Sequence, residues 1–362
     1  MLFWGSGTLP GKRVSDGDAV QVRFPPPFWR IMYLKNLYCS RRNLQVMNRY
    51  PGLLLLLLCI ALLLTAGCAD QQVSAPAPVP DRAIKIPSGA IKMTPQTDDN
   101  PPKTISLEYR SPVPVPGPVN TEGAEDSPFI LPDGNTLYFF FTPDVKVPPE
   151  KQVIDGVTGI YVTKKAGSAW QTPERVVLQD PGRLSLDGCG FVSGTTLWFC
   201  AAREGYTGLH WFTADLAGGK WTNWKNADFN PDYKVGELHI SGDELYYHSD
   251  RPGGKGGLDI WMLKKVNGQW QGPVSVAAVN SERDDGWPAI SPDGNELWFS
   301  RDFGLWRAQR VNREWTAPEL MISTLAGEAS LDRQGNVYFV HHYYRNNIMI
   351  EADIYIAARN TT

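Results

Sequence analysis

The sequence predicts an all-β chain, a five-bladed β-propeller of four-stranded antiparallel blades, on three observations. First, 34 Gly and 29 Pro in 362 residues leave no room for long helices, because both residues penalise helix interiors. Second, 13 Trp, 14 Tyr and 14 Phe favour half-buried, aromatic-rich strands. Third, the C-terminal two thirds of the chain repeats five times. The balance of 35 Lys+Arg against 38 Asp+Glu gives no electrostatic footprint for nucleic acid.

Residues 47–67 read as a secretion signal. Arg49 supplies a basic start, Leu53 to Leu64 is an unbroken apolar run of 12 residues, and Ala66-Gly67 precede Cys68. Twelve residues fit a signal core and fall short of a membrane span. The stretch Thr65-Ala66-Gly67-Cys68 resembles the lipobox of bacterial lipoproteins, in which the cysteine is diacylated and becomes the mature N-terminus. That resemblance implies a domain lipid-anchored to a membrane of the cell envelope and facing the periplasm or the exterior. Residues 1–46 fit poorly ahead of such a signal and read as an upstream over-extension, with Met47 as the start. Removing residues 1–67 takes away 8 basic and 2 acidic side chains and leaves 27 against 36, a net charge of −9. Such acidity opposes adhesion to anionic lipid heads. Residues 68–103, rich in Pro, read as an extended, semi-rigid tether, and residues 104–362 as the propeller.

Within the propeller, each repeat carries an aliphatic residue followed by two aromatics: Leu137-Tyr138-Phe139, Leu197-Trp198-Phe199, Leu245-Tyr246-Tyr247, Leu297-Trp298-Phe299 and Val337-Tyr338-Phe339. A glycine turn precedes each (Gly134, Gly194, Gly242, Gly294, Gly335), as a tight hairpin requires. The leading aliphatics are 60, 48, 52 and 40 residues apart, close to the length of a four-stranded blade. A second aromatic strand follows each triplet, and W-x-x-P marks an outer strand at Trp170, Trp270 and Trp315, with Trp221 and Trp224 as a variant. The fifth repeat lacks this last element. Thr104 to Pro112, whose Tyr109-x-x-Pro112 imitates W-x-x-P, is the expected replacement, an N-terminal strand that completes the last blade and closes the ring. An uncompleted blade would expose an edge prone to aggregation.

The stretches S-P-F-I-L-P-D-G-N-T-L-Y-F from Ser127, S-D-R-P-G-G-K-G-G-L-D-I-W from Ser249 and P-A-I-S-P-D-G-N-E-L-W-F from Pro288 look like the WD40-like repeats of TolB-type propellers. The resemblance runs from about residue 104 to 359, and repeat two departs from it most. It implies a binding propeller with no fixed chemistry.

An acid precedes each triplet: Asp126, Asp187, Glu237, Asp285 and Glu328, at offsets of 11, 10, 8, 12 and 9 residues. Because side chains alternate along a strand, unequal offsets do not put all five on one face. The plain reading makes them acceptors for neighbouring backbone. A carboxylate ring would suit a structural calcium; no other cofactor and no other metal site is expected. Asp126, Asp187 and Glu237 also imitate the Asp/Asp/Glu set of five-bladed furanosidases, which need one carboxylate and one protonated acid, although the N-D-P-x-G-type opening is absent. His239, two residues after Glu237, shares its strand face and reads as a channel-wall histidine. Trp287, between Asp285 and Pro288, is a candidate stacking platform. Arg203, Arg251 and Arg301, at the ends of second strands, read as salt-bridge partners, and the glycine-rich Arg251–Gly257 stretch as a loop without the ending a phosphate cradle needs. Cys189 and Cys200 flank one hairpin and are a possible disulfide in an oxidising compartment.

Together these features predict a monomeric, non-enzymatic binding or scaffolding module for an envelope protein or glycan. The binding candidates are Asp126, Asp187, Glu237, His239, Asp285, Trp287 and Glu328. A glycoside hydrolase using Asp126, Asp187 and Glu237, or a sugar-binding lectin-like propeller, is the alternative.

Overall fold

The computed structural model describes residues 80–180, 182–229 and 236–360. The signal, its Cys68 and the over-extension lie outside the described residues. Among the described residues, helix is confined to a single 3-10 turn, Arg82–Lys85, and one short α-turn, Pro149–Gln152. No helix among the described residues is long and apolar enough to cross a membrane.

Strand pairing follows the repeat. In repeat two, Ser185–Ser193, Thr196–Arg203, His210–Ala217 and Lys220–Asn226 pair antiparallel in sequence order. Repeat three does the same with Leu238–Ser241, Glu244–Ser249, Asp259–Val266 and Gln269–Ser275. Repeats one and four begin at Ala124–Ile130 and Gly286–Ile290 and break their outer strand into two pieces. Repeats five and one share a nine-stranded sheet through a single parallel pair, Ala352 with Ala124.

The triplets explain the packing. All five leading aliphatics, Leu137, Leu197, Leu245, Leu297 and Val337, have 0% exposure, and the second strand of repeat one, Thr136–Thr142, is buried at every position. Such strands lie between two packed layers and show no in–out alternation. On the outer strands each W-x-x-P tryptophan lies under a cation five residues earlier, its cross-strand partner: Lys165 over Trp170 at 4.7 Å, Lys265 over Trp270 at 5.4 Å and Arg310 over Trp315 at 4.3 Å. Repeat two has Leu216 against Trp221 at this place.

The segment before repeat one differs from expectation in two ways. The strand that pairs with the third strand of repeat five is Val113–Pro114, opposite Ile356 and Tyr355, preceded by a bridge between Tyr109 and Arg359. Lys103–Thr104 pairs instead with Ser323 and Ile322 of repeat four. Tyr109 still packs where an outer-strand aromatic belongs, edge-on to Trp298 at 5.7 Å. Asn120 fastens the junction: its Nδ2 donates to the Val115 and Ile354 carbonyls at 2.8 Å, and its Oδ1 accepts from Ile354 N at 3.0 Å.

The second difference concerns the tether. Residues 80–103 are docked on the strands. Arg82 is 6% exposed. Its guanidinium donates to Glu125 Oε1 at 3.0 Å and to the carbonyls of Pro118 and Val119 at 2.5 and 2.7 Å. It lies 4.8 Å from the ring centre of Phe141 and 5.3 Å from that of Phe139. Lys92 binds Glu351 and Asp353, Met93 is 5% exposed, and Asp98 meets the buried His341 at 2.7 Å. Composition predicts extension, but these buried side-chain anchors override it.

Asn120→Ala removes three hydrogen bonds, two of which join the lead-in segment to the last strand. At about 0.5–1.5 kcal/mol each, urea denaturation should show a loss of about 2–3 kcal/mol, and an unchanged midpoint would refute the junction.

Candidate functional site

The first strand bends at one equivalent place in repeats one, two, four and five. Register shifts fall between Asp126 and Phe129, Gly188 and Phe191, Gly286 and Ala289, and Gly327 and Ser330. At each shift a non-glycine residue takes a positive φ: Ser127 (47°), Cys189 (53°), Trp287 (53°) and Glu328 (56°). Counting back three residues from the cross-strand partner of the leading aliphatic (Ile130, Val192, Ile290, Leu331) reaches each of them. The same count from Ile240, the partner of Leu245 in repeat three, reaches Glu237. The five acids found by counting from the triplets therefore occupy three different positions. Glu328 sits at the bulge and Glu237 at the same count, Asp126 one residue before it, and Asp187 and Asp285 two before. Hairpins of unequal length scrambled the count.

Two of the candidates are engaged in buried ion pairs. Asp187 Oδ1 accepts from Arg203 Nη2 at 2.9 Å, with Ser185 Oγ at 3.2 Å on its other oxygen. Asp285 accepts from Arg301 Nε at 2.5 Å and from the Ser281 amide and hydroxyl. Burial pushes both carboxyls up, against the pull of the arginines. In repeat one the equivalent residue is Glu125, which sequence reasoning passed over because Asp126 stands beside it. Burial pushes Glu125 up to about 7 although Arg82 opposes the shift. The expected roles of Arg203 and Arg301 as salt-bridge partners hold. Arg251 donates to Tyr247 Oη at 2.8 Å and lies over Trp261.

The remaining acids converge. The amide and hydroxyl of Ser127 both donate to Glu328 Oε2 at 2.9 Å, and Asp126 bonds to Glu328. Ser127 and Cys189 lie beside Glu237 and pull its pKa down, against the larger effect of burial. His342 Nε2 lies 3.9 Å from Asp126 Oδ1. Burial and the neighbouring Asp126 hold Glu328 well above the usual carboxylate range, and burial pushes Glu237 up to about 7. Oε1 of Glu237 is shut from solvent with no hydrogen-bond partner among the described residues. Ser127, Cys189 and His342 are not among the sequence-derived binding candidates, Cys189 entering only as a possible disulfide partner, since an acid-only search passes over them. Counting from the hairpin instead of the triplet would have found the first two.

His239 stands at the place that holds Phe129 and Phe191 in repeats one and two. It packs against both rings, at 5.4 and 4.8 Å, and burial lowers its pKa to about 3. Trp287 is 6% exposed, and its ring lies 4.9 Å from that of His248, so it is packed inside and presents no open platform. His248 Nδ1 accepts from the Trp287 amide at 2.9 Å. Gly236 makes room for that ring, because a Cβ there would fall 2.0 Å from His248 Nε2. The other tryptophan set apart by the repeat, Trp224, covers Arg203 at 4.4 Å and donates to Asp180.

The glycine-rich loop closes on itself. The amides of Lys255 and Gly256 donate to Asp259 at 3.0 Å, which leaves them unavailable to a phosphate. Cys189 and Cys200 are buried free thiols; the bulge puts Gly188, and not Cys189, opposite Cys200. No group of three or more His, Cys, Asp or Glu among the described residues is arranged to hold a metal ion.

No known family matches the chain, and no curated protein does. Solved structures similar to it include a putative TolB from Agrobacterium tumefaciens, at 15% identity over 67% of this chain and 92% of that one, with a TM-score of 0.36. An endo-arabinase from Bacteroides thetaiotaomicron is 15% identical over 68% of this chain and 96% of that one, with a TM-score of 0.44. A protein of unknown function from Dyadobacter fermentans is 11% identical over 72% and 100%, with a TM-score of 0.37. At these scores the likenesses carry no argument about function.

Two predictions follow from the charges. Arg301→Ala strands Asp285 in a buried site and should cost about 3–5 kcal/mol in chemical denaturation; a loss below 1 kcal/mol would show the pair to be dispensable. Glu125 and Glu237, at about 7, hold more protons folded than unfolded between pH 4.5 and 7. Stability should therefore fall as pH rises through that window. Melting curves from pH 4.5 to 8 test this, and Glu237→Gln should flatten the slope.

Proposed function

We propose that the five repeats are the blades of one five-bladed propeller, closed by Val113–Pro114 acting as the fourth strand of blade five. We read it as a monomeric, non-enzymatic binding module of the cell envelope, held to a membrane by lipid on Cys68, with an envelope protein or glycan as its ligand. The supporting observation is the fate of Asp187. The furanosidase arrangement needs three accessible acids, and here the second is buried in an ion pair with Arg203. Of the other acids, Asp126 and Glu328 are tied together through Ser127, with Glu237 beside them.

A second reading, glycoside hydrolysis by Asp126 and Glu237, is favoured by one feature. Glu237 near pH 7 retains a proton beside another carboxylate, which is what a general acid needs.

Incubation of the mature protein with arabinan, fructan and xylan oligosaccharides separates the two. The binding reading expects no cleavage. Turnover that disappears in both Asp126→Asn and Glu237→Gln, with melting temperatures retained, would replace it by the hydrolase. The anchor is tested by Cys68→Ser, which lacks the thiolate that accepts the lipid. The variant should move to the soluble fraction or remain unprocessed, whereas unchanged detergent partitioning and mass would exclude the lipid.

A further inference from the structure

We infer that the segment Asp81 to Asp98 is a fixed strap that shortens the membrane leash and turns its own end of the domain toward the bilayer holding the Cys68 lipid; this rests on the lipid-anchor reading above. The strap visits two repeats. Arg82 is buried on repeat one through Glu125, Pro118 and Val119, while Lys92 and Asp98 bind Glu351, Asp353 and His341 of repeat five. The Met93 amide adds a bond to Glu351 Oε2 at 2.8 Å. The chain is therefore fixed to the strands from Arg82 onward, and not only from residue 104. The 14 residues from Cys68 to Arg82 reach about 50 Å fully extended. A tether running to residue 103 would reach about 120 Å by the same rule.

The strap lies at one end of the strands. It borders the loop after Thr142 and the hairpin between Arg345 and Ile348, and a cleft of about 220 Å³ there is lined by Ile91, Lys146, Arg345, Ile350, Glu122 and Asp144. Ile91 and Ile348 are 73% and 58% exposed, beside the exposed Lys146 and Arg345. Apolar side chains next to long basic ones suit the headgroup boundary of a bilayer. With Glu122 and Asp144 in the same cleft the patch is close to neutral, so the leash supplies proximity and the patch supplies orientation.

The test uses the full lipidated chain in vesicles containing nitroxide-labelled lipid, with a fluorophore on either Lys146→Cys or Gln334→Cys. Gln334 lies in the glycine turn at the opposite end of repeat five. Quenching of the Lys146 probe should exceed that of the Gln334 probe several-fold. A 20-residue Gly-Ser insertion after Ala75, which leaves the folded part untouched, should reduce the difference, as should Arg82→Ala combined with Lys92→Ala. Equal quenching in protein shown by intact mass to carry lipid overturns the orientation alone and leaves the face to a protein partner. A difference that survives the insertion overturns the leash. Unmodified Cys68 in the mass spectrum overturns both the orientation and the lipid-anchor reading.

Discussion

The structure depends on neutralising a carboxylate buried at the head of a first strand. Repeats two and four do this internally, Asp187 with Arg203 and Asp285 with Arg301, because each second strand ends in arginine. The second strand of repeat one, Thr136–Thr142, contains no basic residue, yet Glu125 is fully buried. A carboxylate in that position needs a partner, and the chain brings Arg82 from 43 residues upstream. The docking of residues 80–100 follows from that requirement. It also draws Lys92 and Asp98 onto the next repeat, so one ionic requirement organises the whole lead-in segment.

Most of the fold was legible because its signal is periodic. The five aliphatic-aromatic triplets locate the second strands, and the zero exposure of all five leading aliphatics is what that pattern means physically. The strand that pairs with the end of repeat five lies a few residues later than the sequence suggests, because Tyr109 does pack as predicted, while the paired backbone lies at Val113–Pro114. The strap was illegible for the opposite reason. Its sequence has no period, and its anchors reach partners such as Glu351 and Asp353, more than 250 residues away, where no local pattern points.

The site was half legible. Acid residue type was the right signal for Asp126, Glu237 and Glu328, but the reference point was wrong. Counting from the triplet crosses hairpins of different length, so structural acids and clustered acids looked alike. Counting from the hairpin separates them at once. His239 illustrates the same error, since it occupies an aromatic packing place shared with Phe129 and Phe191, and its spacing from Glu237 carried no chemistry.

The bulge position deserves a different reading from its neighbours. Two residues earlier, repeats one, two and four carry an acid paired with an arginine, and three residues later every repeat carries an aliphatic. At the position itself the backbone takes a positive φ in four repeats, which glycine satisfies most easily. None of the four residues there is glycine: they are Ser127, Cys189, Trp287 and Glu328. Holding a side chain in that conformation costs on the order of 1 kcal/mol or more each, and the four repeats bear it with four different side chains. Packing alone would favour one residue type repeated five times. Strain retained in four repeats, for side chains that differ in charge, size and polarity, sets these positions apart from the packed positions on either side of them, where one residue class recurs.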